Sequence, residues 1–100
     1  MRLACSGLAK SELADIRRFS TERWGRAVAV RYLEDLRDAA LAASRPSGLR
    51  HLKGPYYIRR VRSHYLILHL DPDAQRLTVA RVLHARMDVE RHLPPEPPSG

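Results

Sequence analysis

The chain has one cysteine, Cys5, two lysines, Lys10 and Lys53, and five glycines that never cluster. A single thiol cannot close an internal disulfide, so the fold is expected to be independent of an oxidising compartment. No stretch approaches the roughly 18 consecutive apolar residues of a membrane-spanning helix. The opening residues 1–6 meet Lys10 and Glu12 too soon to form the apolar stretch of a signal peptide. A cytoplasmic protein without a membrane partner is therefore expected. Scattered glycines exclude a phosphate-cradling loop. No serine stands in a nucleophile elbow, and Cys5 has no base near it in sequence. The histidines show no His-x-x-x-His spacing, and His64 and His69, an odd number of positions apart on one extended segment, point to opposite sheet faces. Neither a metal nor a cofactor is expected.

What the chain has is arginine. Eighteen basic side chains, sixteen of them Arg, face eleven acidic ones, for a formal net charge of +7. That balance suits an acidic partner, which could be a protein segment, nucleic acid or an anionic membrane. No helix-turn-helix pattern and no stacking-aromatic strand motif accompanies it, so direct nucleic-acid binding is not expected. With 44% hydrophobic residues in 100, one thin core is available. Residues 1–93 are expected to form a single domain, and the proline-rich residues 94–100 a disordered tail.

Leu3-Ala4-Cys5 reads as a first strand, with Ser6 as a helix N-cap and Cys5 as a small buried side chain. From Leu8 to Trp24, Ala9, Leu13, Ile16 and Phe19 recur at helical spacing among charged residues. Gly25 ends that helix, and a second, from Arg26 to Ala43, carries Ala29, Tyr32, Leu33, Leu36, Ala39, Ala40 and Ala43 on one face. Trp24 is expected to anchor the core across this hairpin. Residues 44–48 stop the second helix with proline and glycine, and Leu49 to Pro55 reads as a polar connection. Tyr56 to Arg62 is strand-like. Tyr65 to Leu70 is nearly continuously apolar, as in a central strand covered on both faces. Asp71 to Gln75 is a turn, Arg76 to Leu83 a strand, and Met87 to Leu93 a turn or two of helix. Helices followed by strands predict an α+β domain: an N-terminal strand, then a helical hairpin packed on an antiparallel sheet of about four strands, with a short C-terminal helix.

Arg81 falls in register with the apolar Leu77, Val79 and Leu83, which would bury its guanidinium unless a partner or a bulge intervenes. Asp88 is the nearest acidic candidate in sequence, so an Arg81–Asp88 pair is expected to support the C-terminal segment. His84 between Arg81 and Arg86, with Arg59, Arg60 and Arg62 on a neighbouring strand, could serve RNA cleavage as acid or base. One histidine without a second such group favours a structural role for it.

Leu8 through Ile16 with Ala9, Leu13 and Asp15, then Arg23-Trp24-Gly25, then Ala29, Tyr32 and Leu36 follow one another in a fixed order. Pro46, Gly48-Leu49-Arg50, His64-Tyr65-Leu66-Ile67 and finally Arg81-Val82-Leu83-His84-Ala85-Arg86-Met87-Asp88 continue it. Taken together they resemble the ParE toxins, one branch of the RelE/ParE superfamily of bacterial toxin–antitoxin modules. The resemblance implies a non-enzymatic toxin that poisons DNA gyrase and blocks replication. It also implies a ParD-like antitoxin whose acidic C-terminal segment wraps the toxin. Arg81, His84, Arg86, Met87, Asp88 and Arg91 are then expected to meet the target, and Leu13, Ile16, Tyr32, Leu36, Arg59 and Arg62 the antitoxin. RelE-type relatives share the fold but cut mRNA on the ribosome with basic residues and a C-terminal tyrosine or histidine-tyrosine. That alternative would make His84, with Arg81, catalytic here. The end of this chain has no tyrosine, and its sheet has little lysine, which weighs against it.

Overall fold

A computed structural model describes residues 2–43 and 49–93 of the chain. The proline-rich tail and the proline–glycine stop after the second helix, including Pro46 and Gly48, lie outside the described residues. The order is β1 (Arg2–Cys5), α1 (Gly7–Trp24), α2 (Arg26–Ala43), β2 (Arg50–Lys53), β3 (Tyr56–Val61), β4 (His64–Asp71), β5 (Arg76–His84) and a C-terminal 3-10 turn (Val89–His92).

Ser6 starts α1 as the sequence suggests. Its hydroxyl oxygen accepts from Ala9 N at 3.1 Å, and its proton goes to the Ala80 carbonyl at 2.8 Å, so the cap also ties the helix to the sheet. Gly25 joins the two helices at φ +88 and ψ 165, a conformation essentially reserved for glycine. Its N–H closes α1 on Thr21 O, and its carbonyl accepts from Ala29 N in the first turn of α2.

Five strands form one sheet in the order β1-β5-β4-β3-β2. The sheet is mixed, not purely antiparallel, because β1 runs parallel to β5, with Cys5 opposite Val79. Two antiparallel helices between β1 and the remaining strands return the chain to the side it left, which brings β1 in alongside β5. The fifth strand is β2, inside the stretch expected to be an irregular connection. Its Arg-His-Leu-Lys content is poor for a strand interior but suits an exposed edge, where charge discourages further pairing.

The apolar strand β4 lies in the middle, and alternation divides its side chains between two cores. Leu66 and Leu68, with Leu77, Val79 and Val82 of β5, pack under Ala9, Leu36, Ala40 and Ala43 of the helices. The alanines let the helices sit close to the sheet. On the opposite face Tyr56, Ile58, Ile67, Ala80 and Leu83 are covered by Leu52, Tyr65, Val89 and Leu93, so the C-terminal turn is the lid of the second core.

Two expectations for α1 fail together. Phe19 and Trp24 are 55% and 53% exposed, and they meet each other edge to face at 6.0 Å instead of anchoring the core. The inward line of α1 runs Ala9, Leu13, Ile16 and Ser20, and one residue is about a 100° rotation of a helix. Ser20 is therefore buried and Phe19 points away. Cys5 is only half-buried, and that burial raises its thiol pKa, partly offset by Lys10.

Replacing Gly25 with alanine should cost about 1–3 kcal/mol of stability, because the new Cβ meets no neighbour and the whole penalty is conformational. Denaturant unfolding of the variant checks this; an unchanged midpoint would refute the assigned strain.

Candidate functional site: the Arg81 node and the strand-end imidazoles

β1 ends at Cys5, and beyond its pairing with Val79 the outer edge of β5 has no strand beside it. A β-bulge falls at this place: Leu68 pairs with Val79 and Ile67 with Arg81, leaving Ala80 extra. Such a bulge re-aims the side chains that follow it. The Arg81 guanidinium lands against Glu12 of α1, with Nη2 at 2.8 Å from Oε2 and Nε at 3.4 Å from Oε1. Glu12 Oε1 also accepts the unpaired main-chain N–H of Val82 at 3.0 Å, so one carboxylate caps the open sheet edge and neutralises the arginine. Arg81 Nη1 donates to the His92 carbonyl at 3.0 Å. Both side chains are more than four-fifths buried.

The expected Arg81–Asp88 pair is therefore corrected. Arg81 pairs with Glu12, distant in sequence, and Asp88 makes only a local contact with Arg91 at 3.4 Å. Sequence proximity favoured Asp88, but it follows the turn that carries the chain off β5. Packing of α1 on the sheet brings Glu12 in.

A second cluster stands at the far end of the β4–β5 hairpin, where His64 and His84 are register partners with ring centroids 5.3 Å apart. The Tyr32 hydroxyl lies 2.6 Å from His64 Nδ1 and also accepts from Ser63 N–H at 3.3 Å. His84 Nδ1 accepts from Arg86 N–H at 3.1 Å. Burial, and secondarily the neighbouring His84, lowers the pKa of His64 below its ordinary value. These residues line a cavity of about 270 Å³ whose other walls are Asp15, Ile16, Phe19, Ser20, Trp24 and Ser63.

Of the residues expected to meet a target, Arg81 is turned inward as a support, while His84, Arg86, Met87, Asp88 and Arg91 are exposed along the segment that leaves β5. Of those expected to meet an antitoxin, Leu13, Ile16 and Tyr32 are half-buried, and Leu36 is only 2% exposed, inside the core. Arg62 pairs with Asp35 and covers the Tyr32 ring, whereas Arg59 is partly buried on β3. Arg60, which was grouped with His84 for RNA cleavage, stacks on Tyr65 on the sheet face away from the helices. Sequence reasoning missed Glu12 and the joining of Tyr32, His64 and His84. The available signal was two histidines at the ends of adjacent antiparallel strands. Among the described residues no three His, Cys, Asp or Glu side chains stand together as a metal site requires, and no helix is long and apolar enough to cross a membrane.

A helical hairpin on a mixed five-stranded sheet is a fold shared with small toxins of known structure. The family model described as the ParE toxin of the type II toxin–antitoxin system parDE matches residues 3–89, so the chain belongs to the ParE toxin family. Two solved structures share the fold. A chain of a chromosomal ParDE toxin–antitoxin system from P. aeruginosa superposes with a TM-score of 0.67 at 12% identity, covering 86% of this chain and 97% of that one. A YoeB/ParE toxin from Agrobacterium tumefaciens gives a TM-score of 0.59 at 20% identity, covering 84% and 98%. No curated protein matches the chain in sequence.

Replacing Glu12 with alanine strands a buried guanidinium and a main-chain N–H together, and should destabilise the fold by about 1–3 kcal/mol. Arg81→Met combined with it should cost less than the sum of the two single changes, a coupling that a double-mutant cycle measures. The His64 imidazole supplies a pH test. Its folded pKa lies below the ordinary 6.5, so the unfolded chain binds more protons over that interval and stability rises with pH there. This contribution is fully present above about pH 6.5 and is lost as the pH falls through 6.5 toward the folded value. Comparing unfolding free energies at several pH values for wild type and His64→Gln should show a shallower slope in the variant.

Proposed function

We propose that the chain poisons DNA gyrase by binding it, blocking replication, and is held inactive by a ParD-like antitoxin whose acidic C-terminal segment wraps it. The observation that carries the reading is the set of exposed side chains His84, Arg86, Met87, Asp88 and Arg91 on the segment that Arg81 anchors from below. Arg81 acts through it as a positioning residue. Its bond to the His92 carbonyl sets where Arg86, Met87 and Asp88 stand, and Met87, 37% exposed, offers an adaptable apolar contact among charges. Net charge of +7 suits an acidic neutralising segment. The proposed antitoxin contacts are Leu13, Ile16, Tyr32, Arg59 and Arg62, with Leu36 supporting them from the core. The chain is proposed to act in the cytoplasm.

A second reading, a ribosome-dependent mRNA endoribonuclease, gains one specific support: His84 has a second imidazole beside it, His64, which is itself bonded to the Tyr32 hydroxyl. One group could accept a proton from a ribose hydroxyl while another protonates the leaving oxygen. The two readings separate cleanly in cells expressing the chain without its antitoxin. Gyrase action predicts accumulating DNA breaks with stable mRNA. Cleaved ribosomal mRNA, with toxicity abolished in His84→Ala, would establish the second reading in place of the first.

A further inference from the structure

The hydrogen bonds around the two strand-end histidines bear on which ring nitrogens carry protons. A main-chain N–H can only donate, so His84 Nδ1, which receives Arg86 N–H, is the unprotonated nitrogen, and the neutral ring carries its proton on Nε2. The Tyr32 oxygen accepts from Ser63 N–H, and we assign its own proton to the 2.6 Å bond with His64 Nδ1. With that assignment His64 is also an Nε2–H tautomer. Neither Nε2 has a hydrogen-bond partner among the described residues. Two ring N–H donors on rings 5.3 Å apart are close enough to converge on one anion.

The surroundings of these donors select the kind of anion. Ile16, Phe19 and Trp24 make much of the cavity wall apolar, and the two aromatic rings are more than half exposed at its rim. Asp15 of the cavity wall pairs with Arg18 at 3.1 Å, and Arg62, over the Tyr32 ring, pairs with Asp35. Arg23 lies over both Phe19 and Trp24. A phosphodiester chain would leave the apolar wall of Ile16, Phe19 and Trp24 unfilled. A carboxylate attached to a bulky apolar group satisfies both parts, since the imidazoles take the charge and the aromatics take the hydrocarbon.

We propose that this cavity receives a carboxylate next to a large apolar side chain in the antitoxin's acidic segment, both histidine Nε2–H groups donating to that carboxylate. The inference rests on the antitoxin reading above and names its anchoring contact. It also gives neutralisation a physical form. His84 belongs to the exposed run proposed to meet the target, so an antitoxin seated on its ring covers the start of that run.

Imidazole resonances of the full chain, followed by NMR during titration with N-acetylphenylalanine, its amide and uridine monophosphate, test the site without the antitoxin. The carboxylate should move the His64 and His84 signals and raise their titration midpoints, and the amide should not. Equal shifts with the amide, larger shifts with the nucleotide, or no shift with any probe would overturn the proposal. In the complex with the co-encoded antitoxin, His84→Ala should weaken binding by about 10- to 100-fold, the usual worth of a hydrogen bond to a charged group. His84→Gln, whose amide N–H₂ can reach the position of Nε2, should recover much of it. Unchanged affinity in His84→Ala overturns the anchoring contact while leaving the antitoxin reading standing. Failure of the wild-type chain to bind the antitoxin overturns that reading, and with it the proposed occupant.

Discussion

The contact on which the rest depends is the carboxylate of Glu12 against Arg81 and the free edge of β5. A four-residue β1 leaves that edge uncovered just where a bulge inserts Ala80, and both a main-chain N–H and a guanidinium would otherwise be buried without partners. One glutamate from α1 answers both needs. Through Arg81 the same carboxylate reaches the His92 carbonyl, so helix, sheet and C-terminal turn share a single polar junction. Such a junction contributes less through its own net energy than through the cost of any arrangement that breaks it.

The two cores hang from this junction in different ways. The helix-covered core is closed by two 18-residue helices and tolerates an exposed aromatic pair, because alanines and leucines do the close packing. The second core has only the terminal turn as its lid, with Val89 and Leu93 closing over Ile67 and Leu83. A lid so short brings little burial of its own. Its attachment to Arg81 therefore sets the course of the segment from His84 to Arg91, and that course connects the fold to the proposed encounter with a target.

At the open end of the β4–β5 hairpin, tertiary structure assembles a site that no stretch of sequence contains. Tyr32 comes from α2, Ser63 and His64 from the turn and start of β4, and His84 from the end of β5. Each has an unremarkable sequence context. Their value lies in a chain of hydrogen bonds that links the two imidazoles to Tyr32 and fixes His84 as an acceptor at Nδ1, because Arg86 N–H can act only as a donor.

Much of the framework was legible beforehand, for physical reasons. Helical spacing marked α1 and α2 because burial of one face imposes it, and the apolar run of β4 announced a strand covered on both sides. The ordered residues from Leu8 to Asp88 marked the family. Illegible were the features decided by pairing and rotation: β2, whose charged residues suit an edge; the parallel placement of β1; and the exchange of Phe19 for Ser20 on the inward face of α1. The partner of Arg81 belongs with these. Sequence alone determined that this arginine, in register with buried residues, needed a partner or a bulge, because an unpaired guanidinium cannot be buried cheaply. Only the tertiary structure decided that it has both, and that the partner is Glu12 instead of Asp88, because contact in a folded chain follows the packing of elements and not distance along the sequence.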